Sequence, residues 1–373
     1  MRTEIKTVLI TGANGFIGKN LSVTLKEKLS IKVLTFNRDD SIEKLSSLVN
    51  GADFIFHLAG ENRPDSPTMF DVVNRGLTEE LSNILLNLNK SIPIILTSSS
   101  QAVLGNPYGA SKLAAEDVLR KLSKSNRNPI IIYRLPGVFG KWCKPNYNSV
   151  VATFCHNVAH GLPIEVNNPN IMLDLVYIDD VINSFILQME DNHFGVKLES
   201  VIPQYHISVG DLASKINAFE LSRSSLISER VGMGLMRALY STYVSYLPAD
   251  KFSYGVEYHE DARGIFVEML KTRDSGQFSF FTALPGVTRG GHYHHTKTEK
   301  FMVIKGQAKF CFRHILTDEE YILHTSEESF RIVETAPGWS HSVTNVGNDD
   351  LVALIWANEI FSKQHPDTVS YKV

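Results

Sequence analysis

The sequence is poor in cysteine, in charge of one sign and in long apolar runs. Its 373 residues include three cysteines, Cys143, Cys155 and Cys311, an odd count with no CxxC pair. That excludes a disulfide framework and fits a reducing compartment. Basic and acidic residues nearly balance, 37 against 40, for a net charge of -3, so nothing marks a nucleic-acid or anionic-membrane partner. No apolar run is long enough to cross a bilayer. The first residues carry no apolar segment with a cleavage site, so no export is expected and the expected location is the cytoplasm. Internal repeats and low-complexity segments are also missing. What is present is a soluble, globular composition, 43% hydrophobic and 21% charged, in a chain too long for one ordinary domain.

In the first half, residues 7–10 form an apolar run of strand type, and a segment of helical character follows a glycine-rich turn. Gly12, Gly15 and Gly18, with Asn14, Phe16 and Ile17 among them, allow the backbone to approach a pyrophosphate at a helix N-terminus. The second strand, 31–36, ends in Asn37 and Arg38 rather than in an acid. A carboxylate there would bind the ribose 2'-hydroxyl of NAD, whereas Arg38 favours a 2'-phosphate, so NADPH is the expected cofactor. Residues 53–60 read as a buried strand running into a glycine turn.

Tyr108 and Lys112 are four apart and share a helix face. Lys112 can hold the ribose and lower the Tyr108 pKa, so that the phenol acts as an acid near neutral pH. Ser99 or Ser100 would hydrogen-bond the reacting oxygen, with Ser100 preferred for its place just before Gln101. Arg63, at the mouth of the fold, can clasp a diphosphate bidentately or stand as a solvated loop charge. His193 and His206 are isolated and read as surface or satisfied positions. Alternating strands and helices to about residue 190 predict a doubly wound parallel sheet with right-handed crossovers. Residues 208–247 read as helical.

After residue 250 the pattern changes to short strands separated by Gly, Asp, Asn and Pro, which predicts a small β-barrel or jelly roll. Expected strands are 266–270, 278–283, 300–304, 308–312, 319–324, 330–333, 341–345 and 351–356. His292 and His294, two apart on a strand, point to one face and can reach one ion. Glu299 is expected from the next strand and His341 from across the barrel. Imidazoles with a carboxylate suit one first-row divalent ion, zinc first, with iron, manganese and nickel open.

Several of these segments resemble known families. The G-x-x-G-x-x-G turn, the serine cluster and the Y-x-x-x-K pair resemble the extended short-chain dehydrogenase/reductase family, whose fold is of Rossmann type. The resemblance implies Leu58 and Ala59 beside the adenine and pyrophosphate, and Asn74 as a structural residue. It implies Ser99, Arg134, Asn146 and Asn148 on the substrate side. Seven residues between Ser100 and Tyr108 make a shorter connection near the nicotinamide than most members have. The spacing G-x5-H-x-H-x4-E-x6-G from Gly286 to Gly306 resembles the first cupin motif. The stretch from Pro337 to Asn345 resembles the second, with one residue missing after Pro337.

The segments 261–266, 286–293 and 337–341 also resemble dTDP-sugar 3,5-epimerases, cupin-shaped enzymes that need no metal and use the histidine as a base. Those enzymes have Gln where this chain has His294, so His292 has two candidate roles, ligand or base. A reductase fused to an epimerase-like cupin resembles the bifunctional enzymes of UDP-N-acetyl-L-fucosamine synthesis for capsule and O-antigen. That resemblance implies a cupin, residues 248–373, that epimerises C3 of a UDP-2-acetamido-2,6-dideoxy-4-hexulose. The reductase, residues 1–247, would then reduce the C4 ketone with NADPH to UDP-2-acetamido-2,6-dideoxy-L-talose. A homodimer is expected. Two rival expectations remain: the cupin is a dimerisation or binding module, or it is a metal-dependent oxygenase or isomerase on another sugar.

Overall fold

The computed structural model describes residues 5–28, 31–64, 66, 68–191, 193–329, 331–364 and 366–373. The chain forms two compact units, Met1–Ile216 with Ala238–Leu247, and Asn217–Arg237 with Pro248–Val373. The second unit thus takes a stretch from within the helical region 208–247 as well as everything after Leu247.

The first unit holds strands β1 (Thr7–Thr11), β2 (Lys32–Phe36), β3 (Phe54–His57), β4 (Ile94–Ser99), β5 (Ile130–Leu135), β6 (Gly137–Phe139), β7 (Met172–Tyr177), β8 (Val196–Glu199) and β9 (Tyr205–Ser208). Its helices are α1 (Phe16–Lys28), α2 (Ile42–Asn50), α3 (Thr68–Phe70), α4 (Leu77–Asn87), α5 (Pro107–Asn126), α6 (Val150–Ala159) and α7 (Ile178–Met189). Two further helices, α8 (Val209–Ser225) and α9 (Gly234–Val244), run through the stretches where the chain changes unit. Among the described residues no helix is long and apolar enough to cross a membrane.

Six parallel strands lie in the order β2-β1-β3-β4-β5-β8, and β6, β7 and β9 form a small separate sheet. β3 and β4 are buried at every residue, which is why they read as unbroken runs rather than alternating ones. β2 pairs on one side of β1 and β3 on the other. The connections therefore diverge between β1 and β3, and the carboxyl ends of those strands open the crevice where such sheets take ligands. Leu9, Ile55, Leu81, Leu96, Leu119 and Ile132 belong to the apolar core of this unit.

The second unit adds β10 (Ile227–Ser228), β11 (Tyr258–Asp261), β12 (Gly264–Thr272), β13 (Gly276–Ala283), β14 (Thr288–Tyr293) and β15 (Glu299–Lys305). It continues with β16 (Gln307–His314), β17 (Glu320–Ser326), β18 (Val333–Glu334), β19 (Trp339–Asn345), β20 (Leu351–Ala357) and β21 (Val369–Ser370). One sheet runs β10-β12-β13-β20-β15-β18 with β11 on β12, and the other runs β17-β16-β19-β14-β21. Burial alternates along β13 and β16, as in sheets with one face on a core. That core contains Phe281, Phe301, Val303, Phe310 and Val343. Of the strand expected at 330–333 only Val333 lies in a strand, β18; Arg331 and Ile332 precede it, and Phe330 lies outside the described residues. β10, β11 and β21 were not expected, being too short to show a period of their own.

Glu299 comes from the next strand, β15, as expected, but the expected direction of His341 is corrected. His341 does not come from across the barrel: β19 is the hydrogen-bonded neighbour of β14, and His341 pairs directly with His292. Glu299 comes from the other sheet, on β15. Sequence separation cannot reveal this, because β14 pairs with a strand about fifty residues later and not with its successor.

Two candidate active sites

In the first unit the glycine turn is closed against the loop after β3. Gly12 has φ +72°, and a Cβ there would lie 2.8 Å from the main-chain N and Cα of Ala59. A Cβ on Gly18 would lie 2.3 Å from the Gly12 carbonyl. No larger residue fits either position. The Gly15 N–H donates to the Gly12 carbonyl at 2.9 Å, and the Asn14 N–H donates to Asn37 Oδ1 at 2.8 Å. Gly12, Asn14, Gly15, Asn37 and Ala59 thus meet at the ends of β1, β2 and β3, next to Leu58, while Phe16, Ile17 and Gly18 open α1.

Arg38 is exposed and pairs with Glu61 at 2.6 Å. Glu61, buried just after Gly60, also accepts from the N–H groups of Asn62 (3.0 Å) and Arg63 (3.1 Å) and from the Tyr147 hydroxyl (3.0 Å). Its own main chain is bracketed by the Asn74 amide, which accepts from Glu61 N at 2.8 Å and donates to Glu61 O at 3.1 Å. Asn74 sits in a π-helical turn, Asp71–Gly76, and donates to Ser111 Oγ at 2.9 Å as well. Sequence reasoning missed Glu61 and Tyr147. The signal for Glu61 is a carboxylate placed directly after a glycine turn at the crevice.

Tyr108 and Lys112 lie on the first turns of α5. Asn106 caps that helix by accepting from the Gly109 N–H at 2.7 Å, and Pro107 occupies its first position. The preferred serine was Ser100, and the structure instead pairs Tyr108 with Ser99. Ser99 is the buried last residue of β4 and caps the short 3-10 turn Ser100–Val103 by accepting from the Gln101 N–H at 3.1 Å. Ser100 begins that turn and is exposed. α5 packs tightly on this turn, since a Cβ on Gly109 would lie 2.0 Å from the Gln101 carbonyl. The short connection to Tyr108 is therefore a packed turn.

The Lys112 Nζ donates to the Thr97 carbonyl at 3.1 Å and lies 6.0 Å from the centre of the Tyr108 ring. Burial lowers the Lys112 pKa from 10.5 to about 8. Tyr108 was expected to be lowered. Burial instead pushes its phenol up, outweighing the opposing hydrogen bond with Ser99. His57 stands between Thr11 Oγ1 (2.8 Å) and Thr78 Oγ1 (2.9 Å), and burial, then the Lys112 charge, takes its pKa down to about 3. It is a neutral spacer that fixes the loop after β3.

Arg134 was expected on the substrate side. The structure commits it to Glu116, with Nε on Oε1 at 2.9 Å and a terminal nitrogen on Oε2 at 2.8 Å. The Glu116 side chain is wholly buried, and Ser98 donates to it at 2.6 Å. β5 thus aims Arg134 onto α5. Arg63, Asn146 and Asn148 are exposed. His206 pairs with Asp174 at 2.5 Å, and His193 Nε2 lies 3.2 Å from the Ile130 carbonyl.

In the second unit, ligand atoms of His292, His294, Glu299 and His341 lie within 4.8 Å of one another. Glu299 Oε2 is 3.2 Å from His341 Nε2 and 3.5 Å from His294 Nε2, and Lys297 Nζ is 3.1 Å from Oε1. Gly290 shapes the approach: its φ is +94°, and a Cβ would lie 2.7 Å from the His341 carbonyl. The bulge it makes in β14 sets His292 beside His341.

The cluster fits a divalent ion on its own terms. His294 Nε2 is buried with no hydrogen-bond partner, while its Nδ1 meets the Asp367 carbonyl. That pairing puts the proton on Nδ1 and leaves the Nε2 lone pair facing the cluster. Burial, then His341 and His294, lowers the His292 pKa to about 4. Three imidazoles and one carboxylate are an ordinary ligand set for zinc.

His292 is half-buried where the other three are buried. It lines two cavities, of about 200 Å³ with Arg263, Phe281 and Arg289, and about 590 Å³ with His259, Gln277 and Lys297.

Residues 8–202 match the NAD dependent epimerase/dehydratase family, and residues 259–369 match the polysaccharide biosynthesis C-terminal domain. The chain is 54% identical over 366 residues to a UDP-2-acetamido-2,6-beta-L-arabino-hexul-4-ose reductase of Pseudomonas aeruginosa, covering 98% of each. It is similar to the crystal structure of the capsular polysaccharide assembling protein CapF of Staphylococcus aureus, with TM-score 0.90 and 39% identity over 98% of this chain and 100% of that one. A UDP-glucose 4-epimerase of Thermotoga maritima shares the fold over 64% of this chain and 98% of its own, with TM-score 0.56 and 18% identity.

Proposed function

The chain belongs to the NAD dependent epimerase/dehydratase family, followed by a polysaccharide biosynthesis C-terminal domain, and from that premise we propose a bifunctional nucleotide-sugar enzyme. Its barrel, residues 248–373, epimerises C3 of a UDP-2-acetamido-2,6-dideoxy-4-hexulose. Its parallel-sheet domain, residues 1–247, reduces the C4 ketone with NADPH to UDP-2-acetamido-2,6-dideoxy-L-talose, in capsule or O-antigen synthesis. The observation that carries the reading is the full-length identity to a hexul-4-ose reductase in a chain with two separate sets of reactive side chains.

The ketone links the two reactions. It acidifies the proton on C3, and it is also the acceptor in the reduction. His292, the half-buried member of the cluster, is the base that takes the C3 proton, a solvent-derived proton returns to the opposite face of C3, and His294, Glu299 and His341 hold zinc. When bound, the ion supplies a Lewis acid that stabilises negative charge on a ketone oxygen. In the first unit, bound NADPH supplies the hydride. Ser99 hydrogen-bonds the ketone oxygen, and Tyr108, kept protonated by burial, delivers the proton to it. Lys112, charged below about pH 8, binds the ribose and offsets charge developing on Tyr108. Arg38 meets the 2'-phosphate by leaving its ion pair with Glu61. A homodimer and a cytoplasmic location complete the reading. The unpaired Cys143, Cys155 and Cys311 support a reducing compartment, and light scattering tests the dimer.

The test is product analysis, by mass and NMR, from a UDP-4-keto amino sugar and NADPH in deuterated solvent. Deuterium at C3 and a reduced C4 are expected. Reduction without C3 exchange would make the barrel a binding or dimerisation module, and oxygen uptake would make it an oxygenase. His292→Gln should stop exchange and keep the metal, whereas loss of the metal too would make His292 a fourth ligand.

A further inference from the structure

The metal cluster is held from behind by a segment that contributes no ligand. Asp367 folds its carboxylate onto the turn that follows β14. Oδ1 accepts from the His295 N–H at 2.9 Å. Oδ2 accepts from the N–H groups of Thr296 (2.7 Å) and Lys297 (2.8 Å) and from the Thr296 hydroxyl (3.0 Å). The Asp367 carbonyl takes the Nδ1 proton of His294. One residue therefore satisfies three consecutive backbone donors between two ligands and also sets the tautomer of one of them.

The residues that follow extend the contact to the other histidines. In β21, Ser370 pairs with His292 and Val369 with Tyr293. The Tyr371 N–H donates to the Gly291 carbonyl at 3.0 Å, and its carbonyl accepts from the Ser340 hydroxyl, next to His341, at 2.6 Å. The stretch from Asp367 to Tyr371 thus meets a residue at or beside every histidine of the cluster. Glu299 is positioned separately: its N–H donates to Thr335 Oγ1 at 3.0 Å, and its carbonyl accepts from the Thr335 N–H at 2.9 Å.

We propose that Asp367 is a positioning residue of the metal centre, fixing the turn at 295–297 and the donor orientation of His294 so that the ion meets a preformed site. The proposal rests on the metal reading given above. Without the carboxylate, three N–H groups lose their common acceptor, the turn relaxes, and His294 loses its fixed aim. Outer-sphere partners of metal-bound histidines typically change affinity by about 10–100-fold.

The experiment loads the full chain, as wild type, Asp367→Asn and Asp367→Ala, with Zn²⁺ and competes the ion away with a colorimetric chelator. Both Kd and release rate are read. Asp367→Ala should weaken binding by about 10–100-fold, and Asp367→Asn, which keeps one acceptor oxygen, should fall between it and wild type. Thermal melts establish that each variant is folded. If the alanine variant does not fold, the asparagine variant decides. Equal Kd and release rate in all folded forms would overturn the positioning role while leaving the metal site standing. A wild type that takes up no Zn²⁺ would overturn both.

Discussion

Replacing Ser99 by Ala should lower kcat for ketone reduction by about 10²–10³-fold, equivalent to about 2.7–4 kcal/mol of transition-state stabilisation, the usual cost of removing one donor to a developing oxyanion. Replacing Ser100 by Ala should change kcat by less than about twofold, the ordinary result for an exposed group away from the reacting atoms. The contrast follows from geometry. Ser99 is 7% exposed and is the serine that acts on the Tyr108 phenol, while Ser100 faces solvent at the head of the next turn. Ser99→Ala also strips the Gln101 N–H of its acceptor, which should cost about 0.5–1.5 kcal/mol of stability and lower the melting temperature slightly. The assay is NADPH oxidation with an already C3-epimerised 4-keto sugar, so that the barrel reaction does not limit the rate. Because the missing interaction forms with the transition state, kcat and kcat/KM should fall together. The reasoning is refuted if Ser100→Ala is as damaging as Ser99→Ala, or if Ser99→Ala raises KM and leaves kcat alone.

Arg134→Met should destabilise the protein by about 1.5–3 kcal/mol, because it removes the paired bonds to the wholly buried Glu116, which keeps Ser98 and, at 3.5 Å, Arg120, and should leave KM for the sugar unchanged. Denaturant melts beside sugar kinetics check this, and a raised KM at unchanged stability would return Arg134 to the substrate. For pH, Lys112 carries a folded-state pKa of about 8, below its ordinary 10.5. The folded chain then holds fewer protons than the unfolded one between those values, so stability should rise with pH across that window. Activity should move the opposite way: kcat/KM for reduction should fall above about pH 8 as Lys112 loses its charge, since Tyr108 is pushed up and stays protonated there. Lys112→Arg, which keeps a charge, should flatten that limb. A limb that persists unmoved in this variant belongs to another group. Arg38→Asp should shift the NADPH/NADH ratio of kcat/KM by about ten- to a hundredfold, the worth of one charge-assisted contact of about 1.5–3 kcal/mol. A ratio that hardly changes makes Arg38 only the surface partner of Glu61.

What the sequence determined by itself are the features that a local repeat controls. The burial of β3 and β4, the alternation in β13 and β16 and the change from one pattern to the other near residue 250 are periodicities of neighbouring residues, so the fold class could be read from them. The four-residue spacing of Tyr108 and Lys112 works the same way, because backbone geometry within one element sets where such side chains point, whereas His294 falls just past the end of β14. Gly12 and Gly18 were legible because a glycine turn has a spacing of its own.

What only the tertiary structure decided are meetings between distant segments. Ser99 rather than Ser100 faces Tyr108 because α5 packs on the turn through Gly109, a contact no periodicity encodes. Arg134 is spent on Glu116 because β5 lies beneath α5. His341 stands beside His292, and Glu299 opposite, because β14 pairs with β19 and not with β15. Asp367 reaches the turn at 295–297 from seventy residues away, on a stretch too short and too irregular to show a pattern. The physical reason is common to all four. A side chain's direction within an element follows from the dihedral angles of its neighbours, whereas its partner in another element follows from how whole elements pack, which depends on every core residue at once.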